Sequence, residues 1–352
     1  MPFRVCMSKL IVLAGALLTG CAGLSDSSTL TGTSDITSKS ENASQSDIPG
    51  AQVISVVTTR KPVDSARVAP WFGSERASQM SIAQVHMLSP KAPGRFLAAT
   101  GLLDWKIERV DKVPNLSIAS SGPTRDVLLY VHGYNQTFAT ATLDAARLSD
   151  GLGFRGNTVL FSWPSRDKLL EYIRDRESAM WSRDALETTM DSLLASPNVG
   201  RIHIVAHSMG SMLTLEALRQ VYAHHRAGVA DRLGAIVFAS PDLDIDGFSS
   251  SVRRMGRLAD KMTIITASDD RALAMAANIS GGGRVGSAEK ARLEALGLKV
   301  VDASGLGWGI LNHDLFLTND QVKQVIRQAI EETRTPNYAR SVSAEPLPAP
   351  VQ

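Results

Sequence analysis

The stretch "RIHIVAHSMGS", residues 201–211, decides the fold of this chain. An apolar, β-branched run stops at histidine, serine and glycine, and "SMLTLEALRQVYAHH" (211–225) then takes up the spacing of an amphipathic helix. A strand that enters a helix through so short a turn is the setting of a nucleophile elbow, which exposes a serine hydroxyl at the top of a sheet. Backbone segments approach closely there, so the residues two before and two after the serine must be small. Here they are Ala206 and Gly210, giving A-x-S-x-G, and Ser208 is the candidate nucleophile.

On either side of this stretch, short β-branched runs alternate with helical patterns. Strands are expected at "QVISVVTT" (52–59), "DVLLYVH" (126–132), "NTVLFSW" (157–163), "RIHIVAH" (201–207), "LGAIVFAS" (233–240), "KMTIITAS" (261–268) and "LKVVDAS" (298–304). Several are continuously apolar, as parallel strands covered on both faces read. Helices are expected over 136–150, 167–195, 210–226 and 319–334, with Leu186, Met190, Leu193 and Leu194 on one buried face. The alternation predicts an α/β fold with a doubly wound, mostly parallel sheet over residues 123–334, and the nucleophile elbow at Ser208 points to the α/β-hydrolase fold within that class. Residues 49–122 carry several proline and glycine breaks and are read as an N-terminal extension of strands and loops packed on that core.

In an α/β hydrolase the nucleophile, the acid and the histidine follow one another along the chain. Of the histidines at 86, 132, 203, 207, 224, 225 and 313, only His313 lies beyond the later strands, in the loop "LGWGILNHDLF". The acid has three candidates at strand ends: Asp270 first, then Asp242, then Asp269. Each can equally cap the helix that follows. An oxyanion hole needs two backbone N–H groups; Met209 supplies one, and Tyr134, which follows the flexible Gly133 in "LLYVHGYNQT", supplies the other. His132 is read as structural. The chemistry expected is acyl transfer from a carboxylic ester to Ser208 and then to water, with no cofactor. No HExxH motif or Cys/His cluster is present, so no metal-ligand set is expected.

Together these segments resemble a group of bacterial α/β hydrolases of unknown function. The likeness rests on "VHGYN" (131–135), "LFSWPS" (160–165), "DRESA" and "WSRDALE" (175–187), "HIVAHSMG" (203–210), "SPDLD" (240–244) and "DRAL" (270–273), and it spans roughly residues 50 to 334. The resemblance implies that the aspartate opening "DRAL", Asp270, is the acid and that the late-loop histidine is His313. Where that family carries Gly-His, this chain has Asn312-His313.

The N-terminal "MPFRVCMSKLIVLAGALLTGCAG" has basic residues, an apolar run too short to span a bilayer, and then small residues, as in a secretory signal. Leu18-Thr19-Gly20-Cys21 resembles the lipobox of bacterial lipoproteins, which implies removal of residues 1–20 and acylation of Cys21. Three acyl chains, as such proteins typically carry, imply effectively permanent attachment. Ala22 follows instead of the aspartate associated with inner-membrane retention, so outer-membrane placement, on the periplasmic side of the envelope, is expected. Residues 21–48 read as a Ser/Thr-rich tether with a reach of roughly 30 Å. Residues 335–352 read as a Pro-rich disordered tail.

A net charge of +2 over 352 residues gives no pull toward nucleic acid, and Arg253, Arg254 and Arg257 read as a solvated helix face. "ISGGGRVG" (279–286) lacks the Walker spacing and reads as a flexible loop. The expected partners are a small-molecule or lipid ester and, through the anchor, the membrane. Two rival readings are a thioesterase or acyltransferase with the same triad, and a non-catalytic hydrolase-fold lipoprotein that binds proteins. Substrate and oligomeric state are not encoded in any motif.

Overall fold

Each of the seven β-branched runs becomes a strand of one sheet in the computed structural model, which describes residues 51–63, 71–90, 104–116, 124–166, 171–307 and 313–334. The signal segment, Cys21, the tether, Asn312 and the C-terminal tail lie outside the described residues.

The strands are β1 (Ala51–Pro62), β2 (Phe72–Leu88), β3 (Lys106–Val113), β4 (Arg125–Val131), β5 (Asn157–Ser162), β6 (Val199–His207), β7 (Leu233–Ala239), β8 (Met262–Thr266) and β9 (Lys299–Asp302). Among the described residues they form one sheet in the order β3-β2-β1-β5-β4-β6-β7-β8-β9. From β1 to β9 every pairing is parallel; β2 and β3 add antiparallel edges. Sequence pattern does not separate the long β2 and β3 from the loops around them. Their solvent-facing positions interrupt any apolar run, as an edge hairpin allows.

The helices are α1 (Phe138–Leu152), α2 (Tyr172–Trp181), α3 (Arg183–Ala195), α4 (Met209–Arg232), α5 (Ile245–Met255), α6 (Arg271–Ser280), α7 (Lys290–Glu294), α8 (Leu315–Thr318) and α9 (Asp320–Arg334). Alternate side chains along the central strands enter two separate cores. Val127, Leu129 and Val131 of β4 pack with α2–α5, whereas Leu128 and Tyr130 pack with α1, α8 and α9. In α9 the buried Val322, Ile326 and Ile330 recur at helical spacing and lie on the second face.

The helical stretch expected over 167–195 is divided at Ser182. Its hydroxyl donates to the Ser178 carbonyl at 2.8 Å and lies 2.9 Å from Thr59 Oγ1 in β1. The loop expected to be flexible at 279–286 is pinned instead, because Arg284 turns inward and is 2% exposed. Residues Arg253, Arg254 and Arg257 are exposed, as expected of a solvated face.

The chain reverses direction across the sheet between β4, which is followed outward by β5, and β6, which opens the other half. Ligands in open α/β sheets bind at the carboxyl ends of strands beside such a switch point. Ser208 follows β6 there, and residues 132–136 follow β4.

Candidate active site

Local chemistry at the end of β6 forces the turn. Ser208 has φ 51° and ψ −122°, a conformation that costs an L-residue about 1–3 kcal/mol and persists only where its surroundings impose it. Three backbone bonds impose it. The Ser208 N–H donates to Ala239 O at 3.0 Å, and the Ser208 carbonyl accepts from Ser211 N–H at 2.9 Å and Asp242 N–H at 3.2 Å.

Both small residues of the pattern sit in crowded surroundings. Ala206 is fully buried, and its carbonyl accepts from the Ser211 hydroxyl at 3.0 Å. A Cβ on Gly210 would lie 2.3 Å from His132 O and 2.7 Å from Val131 O, so only glycine lets α4 start this close to the end of β4. Gly133 is bound by the same crowding: a Cβ there would sit 2.7 Å from His207 Nδ1 and 3.1 Å from Ser208 Cβ. The loop bearing Tyr134 is therefore laid directly over the elbow. Met209 is the first residue of α4, and a helix leaves its first N–H groups without partners in its own ladder.

Of the three candidate acids, Asp270 meets the histidine. Its Oδ2 lies 2.6 Å from His313 Nδ1, across 43 residues of sequence. The Asp270 side chain is fully buried, and its Oδ1 accepts the Leu273 N–H at 3.0 Å as the N-cap of α6. With both carboxylate oxygens engaged, Nδ1 of His313 carries the proton, leaving Nε2 to act as a base. Among the described residues the Ser208 hydroxyl takes no hydrogen-bond partner; such contacts are commonly long before substrate binds.

Neither alternative acid is placed to orient His313. Asp242 is buried, takes the Tyr172 hydroxyl at 2.6 Å, and has its other oxygen 3.3 Å from Arg284 Nε. That contact is too poorly angled to count as a hydrogen bond and is a buried charge pair. Asp269 is exposed and accepts the Gly305 N–H at 3.2 Å.

His132 is structural by geometry. It stacks on Trp163 at 4.9 Å, faces the Gly133 and Trp163 carbonyls at 2.8 and 3.1 Å, and receives Trp163 Nε1–H on its own carbonyl. Burial, joined by the charge of Arg60, brings its pKa down to about 3, so it stays neutral.

Sequence reasoning missed His207, which read only as the last residue of the strand expected over 201–207. The ring packs between His313 at 4.7 Å and Phe316 at 4.6 Å, and Nε2 lies 2.9 Å from the His313 carbonyl. Burial above all, and then the charge of His313, hold its pKa well below the usual value. A neutral His207 therefore donates Nε2–H to that carbonyl. The only available signal was its adjacency to Ser208.

Beside these groups is a cavity of about 360 Å³ whose lining includes Asn135, Gln136, Asp144, His207, Asp314 and Phe316. That volume is at the low end for small-molecule sites. Burial raises the Asp144 pKa to about 6, against the pull of Arg147 at 2.7 Å and Gln136 at 3.1 Å.

Comparison with known proteins agrees with this architecture. A family model described as an alpha/beta hydrolase of unknown function (DUF900) matches residues 115–329. An uncharacterized protein of Nostoc sp. is 38% identical over 63 residues, a match covering 18% of this chain and 16% of that protein. The chain thus spans less than a fifth of this curated relative's length. Among solved structures, an esterase of Pyrobaculum calidifontis is 13% identical with a TM-score of 0.38, over 80% of this chain and 86% of the other. A cutinase of Trichoderma reesei, in complex with a phosphonate inhibitor, is 14% identical with a TM-score of 0.34, over 60% and 78% of the two chains.

Proposed function

Because this chain belongs to the DUF900 family of alpha/beta hydrolases, we propose that it is a serine hydrolase of carboxylic esters, with Ser208 as nucleophile, His313 as base and Asp270 as the acid orienting it. The observation that carries this reading is the 2.6 Å contact of Asp270 with His313 Nδ1, on a histidine whose ring packs against the residue preceding the strained Ser208.

In this mechanism His313 Nε2 takes the Ser208 hydroxyl proton as Oγ attacks the acyl carbonyl. The N–H groups of Met209 and Tyr134 hold the resulting oxyanion. The tetrahedral intermediate collapses, the C–O bond to the alcohol breaks, and the imidazolium returns its proton to the leaving oxygen. Water, deprotonated by the same histidine, then attacks the acyl-enzyme and releases the acid, restoring the Ser208 hydroxyl. Asp270 keeps the imidazole oriented throughout, its other carboxylate oxygen held by the Leu273 N–H at the start of α6. Acylation of Cys21 is the remaining part of the proposal, and it would hold this chemistry at an envelope membrane.

Fluorophosphonate labelling tests it, with the adduct mapped by mass spectrometry. One adduct on Ser208, absent in Ser208→Ala and strongly reduced in His313→Ala, is expected. A folded protein that takes no label, or takes it elsewhere, refutes the assignment.

A further inference from the structure

Two motifs have no role in the chemistry above, "LFSWPS" and "DRESA"; the first meets a side chain from outside the matched family region, and the second reaches it through Ser165. Arg60 of β1 is 1% exposed. Its Nε donates to Ser162 Oγ at 2.9 Å, Nη1 to the carbonyls of Ser165 at 3.0 Å and Gly73 at 3.3 Å, and Nη2 to the carbonyl of Gln136 at 2.7 Å. A guanidinium is tolerated at such depth only when its donors are satisfied, and its fixed planar fork ties separate segments together in one geometry.

Gln136 is held from its other side as well. Its N–H donates to Ser165 Oγ at 3.2 Å, and that hydroxyl donates to Asp175 Oδ2 at 2.5 Å. Asp175 is fully buried and also accepts the Arg166 N–H at 3.1 Å from each of its oxygens. Both backbone polar groups of Gln136 are thus anchored, two residues after Tyr134. Asn135 between them has φ 62°, a conformation that the anchored ends help to maintain. Neighbouring residues of β1 strengthen the attachment: Thr58 Oγ1 donates to Ser162 O at 2.7 Å, and Thr59 reaches Ser182.

We infer that Arg60, backed by Ser165 and Asp175, is a positioning residue that clamps the loop 132–136 and so fixes the direction of the Tyr134 N–H. The inference rests on the oxyanion role given to Tyr134 above. It assigns the N-terminal strand a part in catalysis, although that strand lies outside residues 115–329.

The test is Arg60→Met in the full chain, with Arg60→Lys and Ser165→Ala alongside. Turnover of p-nitrophenyl acetate and hydrogen exchange by mass spectrometry are both read. A loop displaced by about 1 Å loses a donor that acts mainly in the transition state, so kcat should fall about 10- to 100-fold with KM within about threefold. Exchange in a peptide covering 131–138 should speed up, while one covering 199–215 stays unchanged. Arg60→Lys keeps the charge without the fork and should recover part of the loss. Ser165→Ala should show a smaller effect of the same kind, and it carries the test if Arg60→Met does not fold. A folded variant with wild-type kcat, or one with lower kcat but an unchanged exchange rate at 131–138, overturns the inference. Should the wild-type enzyme hydrolyse no ester, the catalytic reading has failed, and the exchange measurement still decides whether Arg60 clamps the loop.

Discussion

Replacing Gly210 by alanine adds one methyl group where the elbow has no room. The new Cβ would meet His132 O at 2.3 Å, Val131 O at 2.7 Å and His132 C at 3.1 Å, all of them backbone atoms that no rotamer change can move. Ordinary contact begins near 3.4 Å, so the start of α4 and the end of β4 must separate by about 1 Å. The two proposed oxyanion donors lie on opposite sides of this seam, Met209 on α4 and Tyr134 on the loop after β4. Separation moves one relative to the other, and a hydrogen bond lengthened by about 1 Å is no longer one. Loss of a single oxyanion donor lowers turnover by about 10²–10³, and overpacking of this kind costs about 1–3 kcal/mol. Steady-state hydrolysis of p-nitrophenyl acetate and a thermal melt would measure both. The expected result is a folded enzyme with Tm lower by several degrees, kcat lower by at least about a hundredfold, and slower fluorophosphonate labelling. A Gly210→Ala enzyme with wild-type Tm and a kcat within about threefold of wild type would refute the crowding argument and the placement of the two donors.

Asp270→Asn should lower kcat by about 10⁴, because an amide facing Nδ1 favours the imidazole tautomer that cannot accept the serine proton. Asp269→Asn, at an exposed loop contact, should leave kcat within about threefold. Asp242→Asn should act on stability, because it leaves the buried Arg284 without its counter-charge at a typical cost of about 3–5 kcal/mol. Equal kinetic losses in all three would overturn the choice of acid. Asp144 gives a pH-dependent prediction. Its folded pKa of about 6 lies above the ordinary aspartate value of 3.8, so between those values the folded state holds a proton that the unfolded chain has released. Stability from this group is greatest below about pH 4 and declines as pH rises through 6. The stability of Asp144→Asn relative to wild type should therefore improve by about 2 kcal/mol between pH 4 and pH 7, read from urea midpoints. A difference that does not change with pH would refute the raised value.

How much could be read from the sequence follows from how far apart the interacting residues are. β-branched runs, helical spacing and the small residues at 206 and 210 act over a few positions, so seven strands, the strand–turn–helix context of Ser208 and the α/β class were legible. Chain order alone left His313 as the late histidine, since order along the chain survives without coordinates. The acid was narrowed to three residues and no further, because Asp242, Asp269 and Asp270 all sit at strand ends with the same local chemistry. Choosing among them required knowing which carboxylate a loop 43 residues downstream would meet. The same is true of His207 and His313, 106 residues apart, and of Arg60 and Gln136, 76 apart. β2 and β3 were hidden because their solvent-facing positions leave no continuous apolar run. Arg284 was read as part of a glycine-rich loop because its counter-charge, Asp242, is not local. By itself the sequence determined the periodicities and the elbow, which depend on backbone geometry within one turn. Only the tertiary structure decided the partners, because burial is what makes a charge seek one particular counter-charge, and burial is a property of the whole sheet.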